Sequence, residues 1–432
     1  MSKKISFALA LAALCGLSLF LVNCGSTSSR PTGVLYVLTE AVNNNGGLIN
    51  GNNVSSYAID INTGALTLIN YNASTCTSAS ANCGLPLSIA FNPAGSAAFV
   101  LNQGLPSASV PPTIYTYNVN SDHSLSTPTV ATTPTLVAGD LALAMALDAG
   151  GNFLFVITQG NQSLGLAPQL LVFSVSATTL TPVANASPVL TRIPSALSSV
   201  TYTPPGGSAE EFLYVTYNQD LVLNNDNTLS AYSVSSTGVL TDLTPNEPYV
   251  TPTNPISVLA VNTNPAGENT GGVFVFVGNQ GTSTGAISVY EVCTVVNASC
   301  KTTQNLGQLI PPTGPPVSAG DNPVAMLADP TNSFLYATSA LTNQVFGYRI
   351  NLTTGALVPL STPYQPTGTL PVAMAIQPSV DQGDGAFSGE FLFVANNNSS
   401  SISGYSINTS TGAMGNQTTV ISNPGPSGMS LR

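Results

Sequence analysis

Short apolar stretches alternate with turn residues along most of the chain, and residues 323–357 show the pattern most clearly. Mostly apolar residues occupy 323–328, 334–338 and 344–350, and Asp329-Pro330 separates the first two runs. Runs of this length, rich in β-branched and aromatic residues and bounded by Gly, Pro, Asn or Asp, are typical of strands joined by tight turns. This stretch therefore predicts three short strands and the start of a fourth.

The same pattern returns along the chain with a steady period. The aromatic residue of the third expected strand occurs at Tyr57, Tyr117, Phe173, Tyr232, Tyr290, Tyr348 and Tyr405. Consecutive positions in this series are 56 to 60 residues apart. A constant period indicates a repeat architecture, and four short strands per repeat are typical of a propeller blade. Because these aromatics repeat with the strands, we expect them in the core between blades.

The two ends of the chain indicate a closed ring. Residues 426–431 resemble 371–376, the first strand of the last repeat. The first repeat begins at Val34 with the equivalent of a second strand and has no first strand of its own. We expect the C-terminal strand to complete the N-terminal blade, because pairing the ends removes exposed sheet edges. The prediction is an all-β, seven-bladed propeller of four-stranded antiparallel blades, forming one domain over residues 33–432.

Composition narrows the possible partners. Only 6% of the residues are charged, against about 25% in ordinary soluble domains. The formal net charge is −11, and the seven basic residues form no cluster. Nucleic-acid binding requires a basic patch, so we exclude nucleic acid as a partner. The folded body should also have little attraction for an anionic membrane, which leaves an anchor as the only expected membrane contact.

The N-terminus has the layout of an export signal. Lys3 and Lys4 precede an uninterrupted run of apolar and small residues over 5–22. The following Leu21-Val22-Asn23-Cys24 resembles the lipobox of bacterial lipoproteins, in which the cysteine becomes the lipidated first residue of the mature chain. Asn23 departs from the small residue expected at its position.

This departure leaves ordinary cleavage and an uncleaved membrane anchor as alternatives to lipidation at Cys24. Each of the three places the body outside the cytoplasm. We expect a signal peptide over 1–23, a tether over 24–32 and an exported lipoprotein of the cell envelope, at the outer membrane or facing the periplasm.

The remaining cysteines outside the signal fall into two pairs with the same spacing, Cys76 with Cys83 and Cys293 with Cys300. An exported chain meets an oxidising environment. A metal site would need further ligands, and no histidine or Cys-x-x-Cys lies near either pair. We predict two local disulfides, each adding about 2–3 kcal/mol in the chain-entropy model.

In a propeller of this order, loops from the second to the third strand and from blade to blade share one face, the loop-rich face. The longer insertions concentrate there, and loops often carry function. Polar residues that precede first strands on this face are Asp140, Arg192, Asn254, Asp321 and Asn322. A guanidinium with carboxylates and amides near the channel mouth can bind a polar ligand. The same residue types also cap turns, which is the alternative.

Other candidate residues favour structural roles. His123 is the only histidine, and it lies in an expected turn on the opposite face, where we expect a solvated residue rather than a catalytic base. Because the single histidine lies in this turn, we exclude a Ser-His-Asp catalytic triad. The segments 220–227 and 381–385 hold several oxygen ligands, but neither has the spacing of an EF-hand. We interpret both as Asn/Asp/Gly turns and predict no metal or cofactor.

The repeated motifs resemble the YVTN-type and lactonase-like seven-bladed β-propellers, a group that includes the propeller-type 6-phosphogluconolactonases. The motifs are the Pro-x-x-x-Ala strand, the Asp/Asn-Pro turn, the strand at 391–396 and the closing Tyr-x-Ile with Thr-Gly-x-Leu. They cover nearly the whole mature chain and specify blades. The resemblance also implies hydrolysis or isomerisation of a lactone, which needs a base and donors for the developing oxyanion.

Two functional hypotheses follow. The first is a monomeric, lipid-anchored binding or scaffold module whose loop-rich face contacts a protein, a glycan or a small polar ligand. The alternative is a lactone hydrolase of the lactonase-like kind. His, Arg and Lys are scarce in the loops, whereas an anionic sugar lactone would call for cations. This scarcity favours the first hypothesis, and the sequence leaves open whether the protein is an enzyme.

Overall fold

The computed structural model describes residues 33–40, 43–44, 47–48, 52–75, 84–131, 136–186, 188, 190–221, 225–244, 248–264, 271–281, 284–294, 300, 305–311, 314–381, 388–422 and 424–432. Within these ranges the chain is almost entirely β-structure. The helical elements are two 3-10 turns, Pro106–Ala108 and Gln162–Leu164. None of the described helices is long and apolar enough to cross a membrane.

Seven antiparallel sheets form the blades, each ordered from an inner strand at the ring centre to an outer strand at the rim. The inner strands of blades 1 to 7 are Pro426–Leu431, Pro86–Phe91, Ala142–Leu147, Arg192–Tyr202, Pro255–Asn262, Pro323–Ala328 and Pro371–Gln377. The second strands are Val34–Thr39, Ala97–Asn102, Phe153–Thr158, Glu210–Asp220, Val273–Asn279, Phe334–Ser339 and Glu390–Asn396.

The outer half of each blade is more variable in length. The third strands are Asn53–Ile59, Thr113–Asn118, Gln169–Ser176, Asn225–Val234, Ala286–Val292, Gln344–Ile350 and Ser401–Ile407. The outer strands are Leu66–Ser74, Thr129–Val130, Thr179–Pro182, Leu240–Asp242, Leu309–Ile310, Leu357–Pro366 and Met414–Ile421. Blades 4 and 5 gain short fifth strands, Tyr249–Val250 and Val317–Ser318, which pair with the third strand. Blade 1 carries a small hairpin of Asn43–Asn44 and Gly47–Leu48.

The ring closes as the sequence predicts. The C-terminal strand pairs antiparallel with Val34–Thr39, and the backbone groups of Val34 and Arg432 exchange hydrogen bonds of 3.1 and 3.0 Å. The inner strands also contact one another from blade 1 through blade 7 and back to blade 1. The seven-bladed propeller with four strands from inner to outer edge is therefore confirmed, and N- and C-terminal segments share blade 1.

Burial explains the apolar pattern. Second strands such as Phe334–Ser339 are buried at every position, because neighbouring blades cover both faces of each sheet. The seven aromatics that mark the period are all buried, as expected. In blades 5, 6 and 7 the tyrosine hydroxyl also donates to a backbone carbonyl at the end of the last strand of the preceding blade. The pairs are Tyr290 with Val250, Tyr348 with Ser318 and Tyr405 with Pro366.

The strand order assigns the loops to faces. Inner-to-second and third-to-outer turns lie on one face, called the opposite face, and the remaining connections form the loop-rich face. On the opposite face, Cys293 and Cys300 are joined in a disulfide with Cα atoms 5.2 Å apart. The second cysteine pair, Cys76 with Cys83, and the lipidation candidate Cys24 lie outside the described residues.

Candidate functional site

Two loops of the same design stand side by side on the loop-rich face of blades 2 and 3. They span residues 103–112 and 159–168 and are called the twin loops. Each begins with Gln-Gly, passes through a 3-10 turn and ends at a proline. Gly104 and Gly160 have φ of 87° and 72°, a region that favours glycine. A β-carbon at either would also lie within 2.7 Å of the backbone nitrogen of the closing proline.

Each twin loop is closed by its own backbone. Leu105 and Val110 exchange hydrogen bonds of 2.9 and 3.0 Å across the blade 2 loop. Asn161 and Leu166 do the same across the blade 3 loop, at 2.8 and 2.9 Å. These paired backbone groups fix the shape of each loop and, with it, the positions of the side chains on its surface.

A groove of about 390 Å³ opens between the blade 3 loop and its neighbours. This volume lies within the range of about 300–1,000 Å³ that small-molecule sites occupy. Its lining residues come from blades 2, 3 and 4 and the connections between them. They are Pro106, Gly139, Leu141, Gln159, Gly160, Asn161, Gln162, Ser163, Pro168 and Ile193. None of them is charged.

Two side-chain amides in the groove have no hydrogen-bond partner among the described residues, Gln159 and Gln162. Gln159 is half-buried and Gln162 is exposed. The third amide, Asn161, is occupied by the scaffold: its Nδ2 donates to the Gly139 carbonyl at 2.9 Å, and its Oδ1 accepts from the Ser163 hydroxyl at 2.6 Å. Gln159 and Gln162 can therefore each offer a donor and an acceptor to a ligand.

Asp140, the first of the sequence-derived candidates, lies directly behind the groove. Its side chain is only 1% exposed, and its Oδ1 accepts from the backbone N–H groups of Leu141 at 2.7 Å and Gly160 at 2.8 Å. Burial raises the pKa of this carboxyl, and the same hydrogen bonds oppose that rise. Asp140 thus fixes two residues of the groove wall, which is the turn-capping role that the sequence left as an alternative.

Arg192 precedes the groove-lining Ile193 at the start of the inner strand of blade 4. Its Nε lies 2.5 Å from Asp226 Oδ2, and the two side chains are 34% and 10% exposed. The other oxygen of Asp226 accepts from the Thr228 hydroxyl at 2.5 Å. The cation beside the groove is therefore already paired within its own blade.

The other three candidates lie at the entries of blades 5 and 6 and do not line the groove. Asn254 donates its backbone N–H to Asn227 Oδ1 at 2.7 Å and its side-chain amide to Gln280 Oε1. The carbonyl of Asp321 accepts from Ser339 Oγ, and that of Asn322 accepts from the Ala340 N–H at 3.0 Å. Of the five candidates, only Asp140 and Arg192 are next in sequence to residues that line the groove, and neither lines it itself.

His123 lies on the opposite face, in the turn between the third and outer strands of blade 2. Its Nδ1 is 2.8 Å from Arg432 Nη1, and its carbonyl accepts from the Tyr36 hydroxyl at 2.8 Å. These contacts tie the closing strand to blade 2, away from the groove. Among the described residues, no three His, Cys, Asp or Glu side chains are grouped to hold a metal ion.

The fold can be compared with known proteins. No family model matches the chain, and no curated protein matches its sequence. Solved structures of similar architecture do match. A candidate 6-phosphogluconolactonase from Bacteroides fragilis shares 14% identity at a TM-score of 0.61, over 94% of this chain and 99% of that chain. The periplasmic gluconolactonase of Pseudomonas aeruginosa shares 17% at 0.58, over 93% and 99%.

A further match is a candidate 6-phosphogluconolactonase from Bacteroides uniformis, with 14% identity and a TM-score of 0.62 over 93% of this chain and 99% of that chain. The chain has the fold of the lactonase-like seven-bladed propellers. This lactonase-like fold matches the resemblance seen in the repeated motifs. Because the identities are low, the comparison extends to the architecture only.

Sequence reasoning missed the twin loops. Gln103-Gly104 and Gln159-Gly160 follow the second strands of consecutive blades at the same position, and Ser107 and Ser163 follow at equal spacing. A comparison of consecutive loops, rather than of strands, would have found this signal. It would have added Gln159 to the candidates, whereas Gln162 has Pro106 at the equivalent position and gives no such signal.

Proposed function

We propose that the protein is a lactone hydrolase whose groove binds a small, hydroxyl-bearing lactone. The observation that carries the proposal is a pair of amides, Gln159 and Gln162, that have no hydrogen-bond partner among the described residues and line a groove of ligand size at the loop-rich face. The hydroxyl groups of a sugar-derived lactone are both donors and acceptors, and each amide offers both. The shared fold with a gluconolactonase supports the same class of ligand.

The apolar part of the groove suits the remainder of such a ring. Leu141, Ile193 and Pro168 contribute apolar groups to the lining. A sugar-derived ring has C–H groups that pack on such a surface while its hydroxyls point to polar groups. Ligand sites commonly combine a mainly apolar wall with a few placed polar groups.

Lactone hydrolysis places negative charge on the carbonyl oxygen when water adds to the carbonyl carbon. The ring C–O bond then breaks and gives a hydroxy acid. An amide N–H aimed at the developing oxyanion stabilises it, and we assign this role to Gln159, the half-buried amide. Asp140 is a positioning residue, because it holds the Leu141 and Gly160 backbone that carries the groove wall.

The activity is tested by titrating the acid that the full-length chain releases from δ-gluconolactone at constant pH. We expect a saturable rate above the buffer-catalysed rate and proportional to protein concentration. A rate equal to that of buffer at micromolar protein contradicts the proposal. In that case the first hypothesis, a binding or scaffold module with a protein or glycan partner, becomes the better account of the loop-rich face.

We also propose that the propeller is exported and anchored by a lipid on Cys24. The support is the sequence of the N-terminus, namely its basic residues, its apolar run and the lipobox-like Leu21-Val22-Asn23-Cys24. Incorporation of labelled palmitate into the full-length chain in a bacterial host tests this. Label is expected in the wild type and not in Cys24→Ser, and label that persists in the variant contradicts the anchor.

A further inference from the structure

We propose that the Arg192–Asp226 ion pair makes the groove select uncharged lactones over phosphorylated ones. The inference rests on the proposed function and deepens it, because it names the substrate class. It starts from the composition of the groove, whose lining holds amides, a hydroxyl and apolar groups but no charged side chain. A phosphate needs cations or several directed N–H groups to replace its hydration.

Arg192 does not itself line the groove, but it is the described basic residue that adjoins a lining residue in sequence, namely Ile193. The other basic residues that the structure describes, Arg349 and Arg432, lie on the opposite face. Arg349 stacks over the Phe334 ring and donates to the Ser410 carbonyl, and Arg432 contacts His123. Within the described part of the chain, an anionic ligand in the groove therefore has only Arg192 to bind.

Arg192 is held by its own blade. Asp226 Oδ2 contacts the guanidinium Nε at 2.5 Å, and Asp226 is itself fixed by the Thr228 hydroxyl. Across the sheet, Arg192 lies directly opposite Asp220 in the strand register. Asp226 thus offsets the charge of the guanidinium, and Asp220 adds a second carboxylate to the same pair of strands.

The consequence for selectivity is direct. A phosphate that recruits Arg192 must break the bond to Asp226, and the exposed carboxylate then repels it. An uncharged lactone neither breaks the bond between Arg192 and Asp226 nor is repelled by the carboxylate, because its hydroxyls form hydrogen bonds with Gln159 and Gln162. The ion pair acts as a filter against anionic ligands by keeping the one nearby cation occupied, a form of specificity through an unfavourable alternative.

The test compares turnover of δ-gluconolactone with that of its 6-phosphate by the full-length chain. We expect the wild type to favour the uncharged lactone in kcat/KM by at least about tenfold, the scale of one charge-assisted hydrogen bond. Asp226→Asn frees Arg192 and should reduce this ratio by about tenfold. The matched control is Asp242→Asn, which removes the same charge from the exposed outer strand of blade 4 and should leave the ratio unchanged.

A second variant makes the test independent of how well Asp226→Asn folds. Arg192→Gln should leave turnover of the 6-phosphate nearly as it is, because the paired guanidinium does not bind it. A wild type that prefers the 6-phosphate, or a marked loss of 6-phosphate turnover in Arg192→Gln, overturns the inference. So does an unchanged ratio in a folded Asp226→Asn. Failure of the wild type on both lactones instead refutes the proposed function, and this result is distinguishable from the others.

Discussion

Gln159 is the residue on which the proposed chemistry depends most. Its backbone N–H bonds to the Leu141 carbonyl at 2.8 Å, which fixes its position, while its side-chain amide has no partner among the described residues. Gln103 holds the same position in the blade 2 loop, where its N–H bonds to the Leu85 carbonyl at 2.7 Å. Gln103 does not line the groove, so the two residues form a matched pair.

Gln159→Ala should lower kcat/KM for δ-gluconolactone by about 10²-fold or more, because one oxyanion donor is lost. Gln103→Ala should leave it within about twofold, since surface changes remote from a site have small effects. Steady-state kinetics on both variants measure the difference. Equal losses in the two variants would assign the effect to loop stability and not to a contact with the substrate.

Glu390 is a second residue with a distinct environment, on the opposite face at the junction of blades 6 and 7. Its side chain is 4% exposed, and burial followed by the charge of Asp329 raises its pKa to about 7. The Asp329 carboxylate is itself held by the backbone N–H groups of Thr331, Ser333 and Phe334. The folded state therefore binds a proton at Glu390 that the unfolded chain releases above its ordinary pKa of 4.5.

This proton predicts a pH dependence of stability. Because the folded pKa is raised, the contribution of Glu390 is most favourable below about pH 4.5 and is lost as the pH rises through about 7. Glu390→Gln should leave the free energy of unfolding near its wild-type value at pH 5 and raise it by about 2 kcal/mol at pH 8. Urea unfolding at both pH values checks this, with Asp242→Asn as the control. If the variant is less stable than wild type at pH 8, ionisation of Glu390 does not destabilise the folded state and the prediction is wrong.

At the scale of the element, the third-strand tyrosines of blades 5, 6 and 7 join each of these blades to the last strand of the preceding blade. Tyr290 is 1% exposed and donates to the Val250 carbonyl at 2.7 Å. The bond crosses from the third strand of blade 5 to the segment that comes from blade 4. The tyrosine that marks the repeat in the sequence is thus also a tie between consecutive blades.

Tyr290→Phe should cost about 0.5–1.5 kcal/mol of unfolding free energy, because the ring packing stays and a part-buried hydrogen bond is lost. Tyr364→Phe is the matched control, since Tyr364 is 47% exposed on the outer strand of blade 6. That change should stay within about 0.5 kcal/mol. Chemical denaturation of both variants measures the two unfolding free energies. An unchanged unfolding free energy in Tyr290→Phe would show that the bond to Val250 does not stabilise the fold.

These elements also show what the sequence can predict. The strands and the ring were predictable because every blade buries both faces of its sheet against its neighbours. The same apolar positions, including Tyr348 and its equivalents, therefore recur at a steady period. The groove was not predictable, because its lining combines residues that are distant in the sequence, such as Pro106, Leu141 and Ile193. A local sequence pattern carries no information about contacts of this kind. Arg192 was predicted to bind a ligand. Its pairing with Asp226 was not predictable, because it depends on the conformation at the start of the third strand of blade 4, which the period of the repeat does not specify.

At the scale of the whole molecule, stability depends on the closure of the ring. The C-terminal strand supplies the inner strand of blade 1, and its Ser427 hydroxyl donates to the Pro86 carbonyl of blade 2 at 2.6 Å. Without it, the strand Val34–Thr39 would expose an unpaired, apolar edge at the centre of the ring. Such edges promote pairing between chains.

Deletion of residues 426–432 should therefore convert most of the protein to aggregates in size-exclusion chromatography. Arg432→Ala, which keeps the strand, should elute like the wild type. A synthetic peptide of residues 424–432 should restore part of the wild-type peak, because it can pair with the free edge. A deletion variant that stays monomeric and melts at the wild-type temperature would contradict the closure.

The central claim is that the groove beside the blade 3 loop binds an uncharged, hydroxyl-bearing ring. The most direct measurement is a crystal structure of the full-length chain with D-glucono-δ-lactam, an unreactive analogue of the lactone. We expect the ring to lie between the Gln159 and Gln162 amides and the apolar groups of Leu141 and Ile193, with Arg192 still bonded to Asp226. Ring density on the opposite face, or an empty groove at saturating ligand, would contradict it.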